Sequence, residues 1–190
     1  MKKNGFALIL PLIVLAVLAV GAYYLRTSRQ QSSLDNTSNL NCNEYINSEF
    51  GFYLKCPNSI SLQIFENDGT NGNSVREAER EISVARPNSD RFYLTLFVYK
   101  SDLSASNWWR ETGMKKYRNV SVTKSSTSQI AGQNALIMDI VESLDEDEYS
   151  IFNIKIVSYQ GRIYLFQFSV YDEEQLTIGD QILSTFKFTK

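Results

Sequence analysis

The sequence predicts an α+β fold, an antiparallel β-sheet flanked by two or more helices, set behind an N-terminal transmembrane helix. Three observations carry this reading. Between Ser150 and Tyr171, one arm spaces Phe152, Ile154 and Ile156 two residues apart, and a second arm does the same with Tyr164, Phe166 and Phe168. Arg91 to Lys100 alternates Phe92, Leu94, Leu96 and Val98 against Tyr93, Thr95, Phe97 and Tyr99, so both its faces are apolar enough for the middle of a sheet. Aromatic residues make up 13 % of the chain, eleven Tyr and eleven Phe among them, and with many β-branched residues this favours strands over helices.

The first two arms form a hairpin around Tyr159-Gln160-Gly161. If Gln160-Gly161 alone were the loop, Lys155 would face Phe166 and Asn153 would face Phe168, mixing charge into an aromatic stripe. A three-residue loop with a left-handed Gly161 instead pairs Phe152 with Phe168, Ile154 with Phe166 and Ile156 with Tyr164. One face then becomes wholly apolar, and this register is the expectation.

From the N-terminus, residues 1–26 read as a membrane segment. Phe6 to Leu25 is uncharged and follows Lys2 and Lys3, long enough to cross a bilayer as a helix. A retained signal anchor with its N-terminus inside is the leading reading. A cleaved secretory signal ending near Val20-Gly21-Ala22 is the second, and both place the remainder outside the cytoplasm. The third rests on Lys3-Asn4-Gly5-Phe6, which resembles the prepilin peptidase site of type IV pilins; Leu10 and Pro11 stand where those proteins carry Glu and an unbroken helix. Residues 27–41 are a polar, flexible linker rich in Ser, Thr, Asn and Gln. As a soft coil it separates domain from membrane by on the order of 20 Å.

Residues 42–190 form the folded domain. A turn and short strand run from Glu49 to Pro57, alternating apolar residues follow from Ile60 to Phe65, and Asn67 to Asn73 is a loop. Glu79 to Ala85 is a weak strand ahead of the strong one at Arg91 to Lys100. Ser104 or Ser106 caps a helix through Trp108 and Trp109 to about Tyr117. Strands are expected at Val120 to Thr123 and Ala135 to Glu142, then the acidic loop and the hairpin. Asp172-Glu173-Glu174-Gln175 opens a terminal helix with Leu176, Ile182, Leu183 and Phe186 on one side.

The composition narrows the chemistry. Net charge is −2, but four of the nineteen basic residues (Lys2, Lys3, Arg26, Arg29) flank the apolar segment, leaving a balance of −6 for the rest and making nucleic acid an unfavourable partner. The sequence has no His, which removes the commonest general base and transition-metal ligand. Cys42 and Cys56, fourteen positions apart in a region placed outside the membrane, are expected to form a disulfide. Asp145-Glu146-Asp147-Glu148, with Glu142, reads as a solvated loop, since successive strand residues point apart and converge poorly on one ion; calcium is the alternative. One of the adjacent Trp108 and Trp109 should face the sheet and the other lie partly outside; core packing is the leading reading of the pair and a partner surface the alternative. No catalytic residue, metal site or cofactor is expected.

Three stretches resemble the PsbP-like family of extrinsic photosystem proteins and their bacterial relatives: Phe50-Gly51-Phe52-Tyr53-Leu54-Lys55-Cys56-Pro57, Ile130-Ala131-Gly132-Gln133-Asn134-Ala135, and Ile182-Leu183-Ser184-Thr185-Phe186-Lys187-Phe188, the last similar to that family's closing helix. The resemblance implies the same antiparallel sheet with flanking helices and an accessory, binding-type role. The sequence thus predicts a single-pass, membrane-tethered accessory module outside the cytoplasm, held by residues 6–25, with a protein partner and no catalysis. The alternative is a minor type IV pilin-like structural subunit.

Overall fold

The structure, a computed structural model, describes residues 40–58, 61–67, 78–89, 92–117, 119–143, 148–170 and 173–189. The anchor at residues 6–25, nearly all of the linker and Asp145 to Asp147 lie outside the described residues. Among the described residues no helix is long and apolar enough to cross a membrane.

In chain order the elements are β1 (Leu40–Asn41), β2 (Glu44–Asn47), β3 (Phe52–Lys55), β4 (Gln63–Asn67), β5 (Arg80–Ala85), β6 (Phe92–Lys100), α1 (Ala105–Glu111), a 3-10 turn (Gly113–Lys116), β7 (Val120–Ile130), β8 (Gln133–Ser143), β9 (Tyr149–Tyr159), β10 (Arg162–Ser169), α2 (Glu173–Thr185) and β11 (Lys187–Phe188). Eight strands build one antiparallel sheet in the order β1-β4-β5-β6-β10-β9-β8-β7, and β11-β3-β2 form a second, smaller one. The strong alternation of β6 places it in the interior of the large sheet, as expected. Ser104 caps α1, its hydroxyl accepting from the Asn107 amide, and so satisfies one of the free donors at the helix start.

The hairpin register differs from the expectation. The loop is two residues, Gln160 and Gly161, both left-handed at φ 47° and 73°, which is the type I′ geometry whose twist matches the strands. Phe166 therefore faces Lys155, Phe168 faces Asn153 and Leu165 faces Ile156. A three-residue loop suits a sheet with one dry side. This sheet has two. Phe152, Ile154, Ile156, Ile163 and Leu165 pack with Trp108 and Trp109 under α1, whereas Tyr164, Phe166 and Phe168 pack with Ile178, Ile182 and Phe186 under α2. Lys155 is accommodated beside the aromatic stripe because its ammonium passes over the Phe168 ring, 4.6 Å from the centroid, and ion-pairs with Asp180.

Two other elements outrun their expected bounds. β7 extends to Ile130 rather than ending at Thr123, joined to β8 by a second turn with Ala131 and Gly132 at φ 50° and 76°. Its residues Ser121 to Gln129 are all exposed, so no apolar alternation marks it in the sequence. The closing segment, expected as continuous helix, leaves α2 at Thr185 and becomes β11, pairing Lys187 with Tyr53 and Phe188 with Phe52.

α2 lies close on the sheet at Gly179. A Cβ there would sit 2.5 Å from Phe168 Cδ1 and 2.9 Å from the Tyr93 carbonyl oxygen. Replacing Gly by Ala in a helix ordinarily gains about 1 kcal/mol. Here overpacking of about 1–3 kcal/mol should outweigh that gain, so Gly179→Ala is expected to lower the denaturant midpoint while Gln181→Ala on the exposed face leaves it nearly unchanged. An unchanged or raised midpoint for Gly179→Ala would contradict the packing.

Candidate functional site

The site follows from what α2 covers. Its apolar side, Ile178, Ile182 and Leu183, rests on the β6–β10 half of the sheet, and its end is fixed where the Lys55 amide donates to Thr185 Oγ1 at 2.8 Å. Among the described residues no helix covers the β7–β9 half of the same face. Tyr149 and Ile151 stand exposed there, and Ile137 and Val141 are half-buried. Between this uncovered face and α2 runs an open cleft of about 740 Å³, with Ile130 and Ile137 on the sheet side and Leu183, Phe186 and Phe188 on the other. Lys155 and Asp180 reach each other across it, the lysine side chain mostly covered and the aspartate well exposed. Lys187 adds a second cation to the lining. The cleft thus offers apolar walls and an exchangeable ion pair, the ingredients of a recognition surface.

The predicted disulfide is present. Cys42 and Cys56 are bonded, with Cα atoms 5.5 Å apart, and both are buried. Because the Cys42 amide also donates to the Leu62 carbonyl at 3.0 Å, the bond ties the edge of the large sheet to the end of β3 in the small one.

Trp108 and Trp109 do not form an exposed pair. Both rings are buried, at 2 % and 5 % exposure, so they pack in the core as the leading reading has it, and the alternative of a partner surface has no exposed ring to rest on. Trp108 packs on Tyr99 at 4.9 Å between centroids, and Trp109 on Tyr117 at 5.7 Å. The reason is the 3-10 turn, which curls the chain back so that Gly113 and Tyr117 close over the ring a straight helix would have left outside. A Cβ on Gly113 would come within 2.5 Å of Trp109.

Among the described residues no group of three or more Cys, Asp or Glu side chains is placed to hold a metal. Buried tyrosines supply the polar anchors of the core. Tyr164 donates to the Phe50 carbonyl at 2.6 Å, and burial pushes its hydroxyl up to about 12. Tyr45 donates to Glu66 at 2.8 Å and accepts from Asn47, and burial raises its hydroxyl as well. Sequence pattern alone does not reveal the Lys155–Asp180 pair; Lys155, the single cation between Tyr149 and Tyr159, is its visible signal.

The large antiparallel sheet with one helix on each face, closed by a small sheet at the C-terminus, defines an α+β fold of PsbP-like type. It is similar in fold to the cyanobacterial PsbP protein CyanoP from Synechocystis sp. PCC 6803, with a TM-score of 0.51 at 12 % identity over 76 % of this chain and 91 % of that one. LpqN, a protein involved in cell envelope biogenesis of Mycobacterium tuberculosis, is more distant at a TM-score of 0.45 and 14 % identity, over 83 % of this chain and 95 % of that one. A Bacteroides thetaiotaomicron VPI-5482 protein stands at 0.49 and 11 %, over 80 % of this chain and 50 % of that one. No protein-family model and no curated protein matches the sequence.

Closing a loop of this size by the disulfide contributes about 3 kcal/mol in the chain-entropy picture. The double variant Cys42→Ala, Cys56→Ala should lose about that much in chemical denaturation, and peptide mapping of the unreduced native protein should recover the two cysteines in one cross-linked species. Equal stability with and without the pair would contradict the tie between the sheets.

Proposed function

We propose that the chain is a membrane-tethered module outside the cytoplasm that binds a protein partner through the cleft and carries no catalytic activity. The observation that carries this reading is the half-covered sheet face: an apolar-walled cleft left open beside α2, where a second helix would have completed the core. A face of this kind, with Tyr149 and Ile151 exposed beside it, suits a macromolecular partner that covers apolar area. The uncharged segment Phe6 to Leu25, the polar residues behind it and a structural disulfide agree with tethering in an oxidising compartment. Likeness in fold to CyanoP supports an accessory role by analogy alone. No observation favours a pilin-like subunit.

Two measurements in intact cells test this. A photo-cross-linking residue in place of Ile137 should give a discrete protein adduct that the same residue at Met114, on the opposite face, does not; equal adducts from both positions would remove the cleft as the binding surface. A Gln181→Cys chain should react with a membrane-impermeant thiol reagent before lysis, and reaction only after lysis would refute the placement outside.

A further inference from the structure

The large sheet has two very unequal edges. At one end β1 is two residues long and is held by the Cys42 amide and the neighbouring disulfide. At the other end β7 is eleven residues long, and among the described strands nothing pairs with its outer side. Its first part carries the usual protections of an edge: the register slips between Val122 and Lys124, and Lys124 places a charge there. Ser125 to Gln129 has none: no charge, no Pro, no Gly and a regular register opposite Met138 to Asn134.

Which backbone groups face outward follows from the turn. Ile130 and Gln133 flank a two-residue loop and so form a hydrogen-bonded pair. Alternation then turns Ser128 and Ser126 toward β8, leaving the amides and carbonyls of Gln129, Thr127 and Ser125 directed away from it. An unpaired ladder of that kind fits an extended strand and little else.

We propose that the occupant is the β7 strand of a second copy of this chain, paired antiparallel about a two-fold axis at Thr127. In that register Thr127 faces Thr127 and Ser126 faces Ser128, hydroxyl pairs that favour cross-strand contact, and Ser125 faces the Gln129 amide, a neutral polar pair. The single charge, Lys124, falls opposite Ile130 of the other copy rather than opposite its own equivalent. Because the β1 edge is short and tied down, the pairing closes after two copies instead of growing into a fibre. A few paired residues bury far less than the roughly 800 Å² per partner of a stable complex, so the association is one that local concentration must support. This goes beyond the cleft-binding role but rests on the tethering half of that reading, because so weak a contact needs two chains in one membrane. It uses the outward backbone of β7, while the side chains of Ser128, Gln129 and Ile130 also line the cleft.

The test uses full-length chains in their membrane, two differently tagged versions expressed together, one Ser126→Cys and the other Ser128→Cys. Mild oxidation should link the mixed pair roughly tenfold more than either chain links to itself or than a chain with Gln181→Cys on the exposed side of α2, outside the cleft, the excess that millimolar effective concentration gives a weak contact. Adding Thr127→Pro to both removes an outward amide without touching the β8 ladder and should abolish the link while the thermal midpoint holds. Cross-linking no greater than that of Gln181→Cys, linking without preference for the mixed pair, or capture of a different polypeptide at Ser126→Cys, which lies outside the cleft lining, would each overturn the two-fold pairing.

Discussion

The β9–β10 hairpin sits between two cores, and its alternation has to satisfy both. Even-numbered residues of β9 (Phe152, Ile154, Ile156) point to the tryptophans of α1, while even-numbered residues of β10 (Tyr164, Phe166, Phe168) point the opposite way, to α2. That division is possible only when the sum of paired residue numbers is odd, as it is with a two-residue loop, and Gln160-Gly161 provides it by taking two left-handed positions in a row. A loop one residue longer would send both aromatic sets to one face and leave the other helix resting on Asn153, Lys155 and Gln167.

The α2 side is closed by β11 returning to β3. Phe186 lies against Phe52, Tyr164 and Phe166 at ring distances of 5.3, 6.3 and 4.9 Å, and Thr189 donates to the Gly51 carbonyl at 2.8 Å. Full burial of each such side chain is worth roughly 1.5–3 kcal/mol, and an aromatic pair adds about 0.5–1.5 kcal/mol. The small sheet therefore acts as a clasp: β2 and β3 are held by β11 from one side and by the disulfide from the other. With α2 drawn toward this clasp, it does not extend over β7–β9, and the cleft is the space that remains.

Where apolar periodicity marked an element, the sequence placed it well. β6, the capped start of α1 and the apolar side of α2 are all legible: β6 is a short run apolar on both faces, Ser104 marks the cap, and the buried residues of α2 recur at helical spacing. β7 was truncated because an edge strand exposed on both faces has no such repeat. The register is not legible for a more general reason: periodicity says that alternate residues share a face, but not whether the opposite face is wet. The buried Trp108 and Trp109 show the same limit, since a 3-10 turn following a short helix covers a ring that helical geometry alone exposes. The cleft depends on which strands α2 spans, a long-range matter that no local pattern encodes, and only Lys155 within its apolar stripe hinted at it.

The two-sided core rests on the hairpin register, and proton NMR reads that register directly. With the two-residue turn, Ile156–Leu165 and Ile154–Gln167 are non-hydrogen-bonded pairs whose α-protons lie close together. Strong Hα–Hα cross-peaks between these two pairs are the expected result. Cross-strand contacts linking Ile156 to Tyr164 and Ile154 to Phe166 as directly opposed pairs would place both aromatic sets on one face and contradict the account.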